Sequence, residues 1–204
     1  MKWQGGKAAK PVADLQSKGD AELLGRAARR DAVAFGEIVN RYYQPVYRVT
    51  SRMTGGHADT GDIAQEAFLK LWRNPQQVRE AGALKGWLMR VASNAVIDRG
   101  RKRVHADLET IPEVADPMAP ADQGIDRLAA AREVERRIAA LPERQRLALS
   151  LVYYEGLSNI EAAGIMEASI EAVESLLARA RRSLRESLSA NWRDLLDGLK
   201  DEPT

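Results

Sequence analysis

The sequence predicts an all-α protein of two small helical domains joined by a flexible acidic linker. Apolar residues recur at helical spacing in every strongly patterned segment, and no segment shows the alternation of a half-buried strand. Residues 104–126 interrupt the helices with three prolines, six acidic residues and little periodicity, which is typical of an extended linker. A chain of 204 residues is long enough for two modest cores.

The first predicted domain, residues 20–103, consists of four amphipathic helices. They span residues 20–30, 32–53, 59–73 and 83–103. We expect Asp20 to cap the first helix and Pro45 to kink the second. An apolar stripe that includes Leu84, Trp87 and Leu88 marks the core face of the fourth helix, and Ser93 is expected on the opposite side.

The second predicted domain, residues 127–188, ends in a helix-turn-helix. Its helices span residues 127–140, 143–154, 159–166 and 169–188. Ser158 followed by Glu161 predicts a capping box at the start of the third helix. A three-residue turn then leads into an amphipathic helix whose apolar face runs through Ile170, Val173 and Leu177. The opposite side carries arginines, as expected for a helix that lies in a DNA groove.

Charge is distributed unevenly along the chain. Residues 1–105 hold 19 Lys or Arg and 10 Asp or Glu, whereas 106–126 hold six acidic residues and no basic ones. The basic half favours a polyanionic partner. Two separate basic helices, one ending at 99–103 and one containing Arg179, Arg181, Arg182 and Arg185, indicate two DNA contacts.

The two ends of the chain lie outside the predicted domains. Residues 1–19 are rich in Lys, Gly and Ala and are expected to form a flexible leader without a signal peptide. Residues 189–204 are expected to form a tail with a short amphipathic helix around Trp192. No apolar run approaches the roughly 18 residues that a membrane span requires. These features, together with the lack of cysteine, predict a cytoplasmic protein.

The sequence offers no pattern of residues for catalysis, metal binding or a cofactor. His57 and His105 are isolated, no group of residues has metal-ligand spacing, and no glycine-rich phosphate loop or nucleophile motif is present. We therefore expect no catalytic residues, no metal and no cofactor, and a binding protein rather than an enzyme.

Three blocks together resemble the extracytoplasmic-function (ECF) sigma factors, the two-domain type of bacterial sigma factor. The blocks are DTGDIAQEAFLKLWR at 59–73, WLMRVASNAVIDRGRKR at 87–103, and LPERQRLALSLVYYEGLSNIEAAGIMEASIEAVESLLARARRSLR at 141–185. The resemblance covers about residues 20–188. It implies that 20–103 form the four-helix region two and 127–188 the helix-turn-helix region four.

The resemblance also implies a role for individual residues. Asp62, Gln65 and Glu66 match the motif that binds the clamp of the largest subunit of core RNA polymerase. Asn94 matches the pocket residue that captures a flipped base of the minus-ten element, and the loop 74–82 matches the specificity loop. Other minus-ten contacts are expected from Arg90, Asp98, Arg99, Arg101, Lys102 and Arg103. Contacts to the minus-thirty-five duplex are expected from Ser169, Glu171, Ser175, Arg179, Arg181 and Arg182.

The same resemblance implies control by an anti-sigma factor, bound between the two domains, and a stress or envelope-response regulon. Two other functions remain open at this point. An ordinary helix-turn-helix regulator would use 20–103 only as a scaffold, which leaves the first basic helix unexplained. A sigma-like decoy that sequesters an anti-sigma factor would be expected to lose the basic residues at 99–103 and 179–185, which this chain retains.

Overall fold

The computed structural model describes residues 13–56, 59–106 and 125–189. All regular secondary structure in these ranges is helical, which confirms the all-α class. The helices are α1 (Ala13–Gln16), α2 (Asp20–Ala28), α3 (Ala32–Thr54), α4 (Thr60–Arg73), α5 (Leu84–Ala106), α6 (Ile125–Ala139), α7 (Glu143–Leu149), α8 (Asn159–Met166) and α9 (Ile170–Ser189). Most of the predicted linker and leader, and the tail around Trp192, lie outside the described residues.

The first half of the chain packs α2, α4 and α5 around the long helix α3. Helix α3 continues through Pro45 to Thr54, and Asp31 caps its start by accepting hydrogen bonds from the backbone N–H groups of Val33 and Ala34. Two 3₁₀ helices, Pro75–Gln77 and Ala81–Ala83, shape the loop between α4 and α5. Fully buried side chains from α3, α4 and α5, among them Ile38, Leu71 and Leu88, form the core of this half.

The predicted role of Asp20 as a helix cap is wrong. Gly19 occupies the N-cap position of α2, and the Asp20 carboxylate instead accepts hydrogen bonds from Tyr42 at 2.5 Å and Arg41 at 3.3 Å. Burial, and then the hydrogen bond to Asp20, raise the pKa of Tyr42 to about 12. These partners lie about twenty residues away, so a local capping pattern could not reveal them.

The predicted flexible leader is also shorter than expected, because its last part is folded. Residues 13–16 form α1, and the Leu15 side chain is fully buried. The guanidinium of Arg41 holds this turn in place by donating to the carbonyl oxygens of Leu15 at 3.0 Å and Gln16 at 2.9 Å. The same guanidinium donates to the buried carboxylate of Glu37 at 2.9 Å.

We therefore expect Arg41→Ala to lower the free energy of unfolding by about 2–3 kcal/mol, because a buried carboxylate and two backbone carbonyls lose a charged donor. Urea denaturation followed by tryptophan fluorescence measures the change. Arg29→Ala removes an arginine from the exposed end of α2 and is the matched control, with an expected effect below about 0.5 kcal/mol. Equal stabilities of the two variants would contradict the anchoring role of Arg41.

Helix α5 is buried on a wider face than its apolar stripe predicts. Leu84, Leu88 and Ala92 are buried as expected, but Met89 and Ser93 are also fully buried. Ser93 was expected opposite the core, and that expectation is wrong. The reason is that α5 packs against α3 and α4 on one side and against α8 of the second half on another.

The second half of the chain packs α7 and α8 against α9. The helix predicted at 143–154 changes at Ser150, because the backbone of Ser150–Tyr154 widens into a π-helix. This change breaks the regular helical period, and five successive residues, 147–151, are all buried.

Ile170 was expected in the core but is 39% exposed, since it begins α9 at the end of the turn.

The predicted capping box at the start of α8 is confirmed. The hydroxyl of Ser158 accepts from the backbone N–H of Glu161 at 3.2 Å, and the Glu161 carboxylate accepts from the backbone N–H of Ser158 at 2.8 Å. The hydrogen bonds from the backbone and then from the hydroxyl of Ser158 hold the pKa of Glu161 below its ordinary value of 4.5. The box sets where the first helix of the helix-turn-helix begins.

Ser158→Ala should lower the free energy of unfolding by about 1 kcal/mol at neutral pH. Because the pKa of Glu161 is lower in the folded state, its contribution is complete above its ordinary pKa and is lost as the pH falls through the folded-state value. The cost of Ser158→Ala should therefore shrink in acid. Denaturation curves across the acid range check this prediction. Glu161→Gln is the control background, because its side chain cannot titrate. If Ser158→Ala costs the same free energy at every pH in the parent background, the prediction is contradicted.

Candidate nucleic-acid interface

The turn of the helix-turn-helix is built by backbone conformation and by a serine cap. Helix α8 ends at Met166 and is capped by Glu167, whose backbone is left-handed with φ 48°. The N–H of Ala168 donates to the carbonyl of Ala163 at 3.0 Å. The Ser169 hydroxyl then accepts from the backbone N–H of Ala172 at 3.2 Å, as an N-cap does at the start of α9. Ser169, which was predicted to contact DNA, therefore caps the start of α9.

Helix α9 presents one buried and one exposed face. Val173, Leu177 and Ala180 are buried, whereas Arg179 and Arg182 are exposed on the other side, as predicted. Arg181 is also exposed, and its Nε donates to the carbonyl of Leu177 at 3.4 Å. The helix thus presents cations to solvent on the side opposite its buried face.

Three polar side chains of α9 interact within the second half. Ser175 accepts a hydrogen bond from Arg179 at 3.0 Å, and Glu174 accepts from Asn159 of α8 at 3.4 Å. Hydrogen bonds from its own backbone N–H and from the Ser169 hydroxyl hold the pKa of Glu171 below its ordinary value. Glu171 therefore places a negative charge in the first turn of α9, where the helix dipole stabilises it.

The predicted minus-ten residues lie along α5. Asn94 and Asp98 are exposed one turn apart, so both are free of the core. Arg90 precedes them by one turn and pairs with Glu167 of the helix-turn-helix, with 3.4 Å between its Nη1 and the carboxylate. Arg101, Lys102 and Arg103 belong to the last turns of α5, but their side chains lie outside the described part of the chain.

Arg99 connects the predicted minus-ten residues of α5 with the predicted polymerase-binding residues of α4 through an ion pair. It was expected to contact DNA, but its guanidinium lies 3.1 Å from the carboxylate of Glu66 and 3.7 Å from that of Asp59. Lys70 and then Arg99 hold the pKa of Glu66 below its ordinary value. Asp59 and Glu66 precede Arg99 by 40 and 33 residues, so no local sequence signal could have indicated the link.

The predicted polymerase-binding residues lie on the outer side of α4. Asp62 and Gln65 are exposed, and the side chain of Glu66 is 41% exposed despite its two ion pairs. The opposite side of α4 is buried through Ile63, Ala67 and other apolar residues. The helix therefore offers a polar surface whose carboxylates remain accessible to a basic partner.

Comparison with known proteins identifies both halves. The family model for Sigma-70 region 2 matches residues 38–105, and the model for Sigma-70 region 4 matches residues 131–184. The chain is 31% identical over 170 residues to the ECF RNA polymerase sigma factor SigW of Bacillus subtilis, covering 78% of this chain and 90% of that protein. It is 30% identical over 182 residues to SigK of Mycobacterium tuberculosis, covering 87% and 97%.

The chain belongs to the ECF RNA polymerase sigma factor family. Among solved structures, it resembles the sigma factor RpoE bound to the anti-sigma factor NepR from Bartonella quintana, with a TM-score of 0.66, 23% identity and coverage of 76% and 96%. It also resembles CnrH bound to the cytosolic domain of CnrY, with a TM-score of 0.63, 24% identity and coverage of 85% and 99%. These likenesses show the shared fold.

The family assignment gives names to the two halves of the structure. Region two contains Asp62, Gln65, Glu66 and Asn94, and region four contains the helix-turn-helix with Arg179 and Arg182. Within the described residues, no cluster of His, Asp or Glu could hold a metal ion. No helix in the same ranges is long and apolar enough to cross a membrane.

Proposed function

We propose that this sigma factor binds core RNA polymerase, recognises the minus-ten and minus-thirty-five promoter elements and initiates transcription. One observation carries the proposal: two separate helices, α5 and α9, expose polar or cationic side chains within the two matched sigma regions of one chain. A binding factor of this kind needs no catalytic residue, metal or cofactor of its own. Its place of action would be the cytoplasm, with the polymerase.

The proposed polymerase contact is the exposed side of α4. Asp62 and Gln65 can accept hydrogen bonds from basic side chains of the clamp of the largest subunit. Glu66 can do the same, and Lys70 and Arg99 hold its pKa below the ordinary value. Since Arg99 pairs with Glu66 in the free chain, a clamp cation that binds Glu66 would compete with Arg99. Polymerase binding would thereby take one of the two carboxylate partners of Arg99, leaving Asp59, next to the minus-ten surface.

The proposed minus-ten contact is the exposed face of α5. Asn94 supplies an amide donor and an acceptor for a flipped base, and cations at the end of α5 can neutralise the displaced strand. Asp98 lies on the same face and can accept a hydrogen bond from a base amino group. The loop 74–82 would complete the pocket.

The proposed minus-thirty-five contact is α9 in the major groove. Arg179 and Arg182 are exposed and lie about one turn apart, and each guanidinium could make a bidentate contact with a guanine. Arg181 would bind phosphate, and Ser169, Glu171 and Ser175, at or near the start of the same helix, would supply further contacts. Glu174 can accept from a cytosine amino group once it leaves Asn159.

We further propose that an anti-sigma factor holds this protein inactive and that its regulon answers stress or envelope signals. The support is that similar solved structures are sigma factors in complex with anti-sigma factors. Because the chain has no cysteine, redox or thiolate–zinc sensing would have to reside in that partner.

Reconstituted transcription tests the proposal. Purified chain and core polymerase should co-elute at equal stoichiometry, and the holoenzyme should give run-off transcripts from promoters selected out of genomic DNA. An ordinary regulator would not co-elute with core enzyme. A decoy would give no transcript from any selected promoter, while still binding an anti-sigma factor.

A further inference from the structure

A bidentate ion pair joins the two sigma regions. Arg48 of α3 donates from Nε and Nη2 to the two carboxylate oxygens of Glu155 at 2.9 and 3.0 Å. The Glu155 side chain is only 2% exposed, whereas the Arg48 side chain is 47% exposed. A carboxylate that region four carries is therefore almost completely enclosed, with its two oxygens held by an arginine of region two.

Three more cations of region two meet region four on the same side. The guanidinium carbon of Arg52 lies 3.7 Å from the centre of the Tyr154 ring. The Nζ of Lys85 lies 3.4 Å from the carbonyl oxygen of Glu155. Arg90 pairs with Glu167. We call Arg48, Arg52, Lys85 and Arg90 the cationic face; it spans the second half of α3 and the first turns of α5.

Close packing supports this arrangement of the two regions. Gly86 of α5 faces Ile165 of α8, since a Cβ atom built on Gly86 would lie in ordinary van der Waals contact, 3.6 Å from Cγ1 of Ile165. The contacts therefore combine ion pairs, a cation over an aromatic ring and apolar packing.

The chemistry of the cationic face matches a phosphate backbone. An arginine fork that holds both oxygens of a carboxylate has the geometry that also binds two oxygens of a phosphate. Three further cations contact residues 154, 155 and 167 of region four, and a groove that follows a nucleic-acid strand likewise combines several cations. Glu155 and Glu167 supply the negative charge that DNA would otherwise provide.

We propose that the cationic face is a further binding site for the phosphate backbone of DNA, and that Glu155 and Glu167 of region four mask it in the closed chain. The proposal rests on the proposed function and adds Arg48, Arg52 and Lys85 to the DNA-binding surface. Masking and DNA binding exclude each other, because the same guanidinium and ammonium groups serve both.

The closed arrangement is also incompatible with reading both promoter elements at once. Arg90 and Glu167 belong to opposite readers and lie 3.4 Å apart. The two elements are about 25 base pairs apart, which corresponds to a distance on the order of 85 Å along B-DNA. Promoter binding would therefore separate the regions and uncover the cationic face.

A matched pair of variants tests the proposal, since Glu155→Gln and Arg48→Gln break the same ion pair from opposite sides. The chain has no cysteine, so spin labels at Ala28→Cys and Ala140→Cys, two exposed positions in different regions, report the distance between regions. Both variants should shift the distance distribution to longer values. Affinity for a fluorescein-labelled mixed-sequence duplex is then measured by anisotropy across a salt series.

The expected DNA results differ between the two variants. Glu155→Gln should bind the duplex about three- to tenfold more tightly than the parent, because a larger fraction of chains is open. Arg48→Gln should bind more weakly than Glu155→Gln, and its slope of log affinity against log salt should be smaller by about one. The double variant should have the slope of Arg48→Gln.

Two outcomes would overturn the proposal. Equal affinities and salt slopes for the two variants would show that Arg48 does not bind phosphate. Unchanged distance distributions in both variants would show that the ion pair does not hold the regions together. Neither readout needs polymerase or a cognate promoter, so a failed transcription assay would reject the proposed function and leave these results interpretable.

Discussion

Reversing the charge of both Arg179 and Arg182 to Glu should weaken binding of the holoenzyme to a minus-thirty-five duplex by about a hundredfold or more. Each bidentate arginine–guanine contact is worth about 1–3 kcal/mol, and reversal adds repulsion from phosphate. The two side chains are exposed, so α9 should keep its buried face against α7 and α8. The salt slope should fall by about two or more, because two cations no longer displace counterions.

Arg132→Glu with Arg144→Glu is the matched control for this pair. These arginines are exposed on α6 and α7, and the net charge changes by the same amount. If the control weakens binding as much as the α9 pair, the effect comes from overall charge. An unchanged salt slope in the α9 pair would contradict docking of α9 in the groove.

Asn94→Ala should slow promoter opening about ten- to hundredfold while core polymerase binding stays within about twofold. Asn94 is exposed on α5, so the loss of its amide should remove hydrogen bonds to a flipped base and little else. Permanganate reactivity of the minus-ten thymines reports opening, and co-elution or fluorescence titration with core enzyme reports binding.

Asn40→Ala provides the comparison for Asn94, because Asn40 is an exposed asparagine on α3. It should leave both opening and core binding unchanged. Normal promoter opening by Asn94→Ala would contradict the pocket role, and an equal loss of opening and core binding would point to a damaged region two instead.

Features that depend on neighbouring residues could be predicted from the sequence. The capping box of Ser158 and Glu161 needs only a spacing of three, and the structure contains both of its hydrogen bonds. The exposed arginines of α9 follow from the helical period, because Val173, Leu177 and Ala180 occupy the opposite face. Ile170 breaks the pattern only because α9 begins there.

Features that depend on distant partners could not be predicted in this way. Asp20 has the chemistry of a cap, yet Arg41 and Tyr42 from the next helix bind it. A helical wheel places Ser93 on the surface, but the residue is fully buried in a helix that packs against α3, α4 and α8. In both cases local propensity is real, and tertiary contacts outweigh it.

The sequence by itself determined the all-α class, the helix-turn-helix with its cap, and the positions of the two basic helices. Each of these follows from periodicity and residue chemistry within one or two turns. Only the tertiary structure decided that Arg99 pairs with Glu66 and that Glu155 of region four forms an ion pair with Arg48. Those pairings join residues 33 and 107 positions apart, and only the packing of whole helices can bring such charges together.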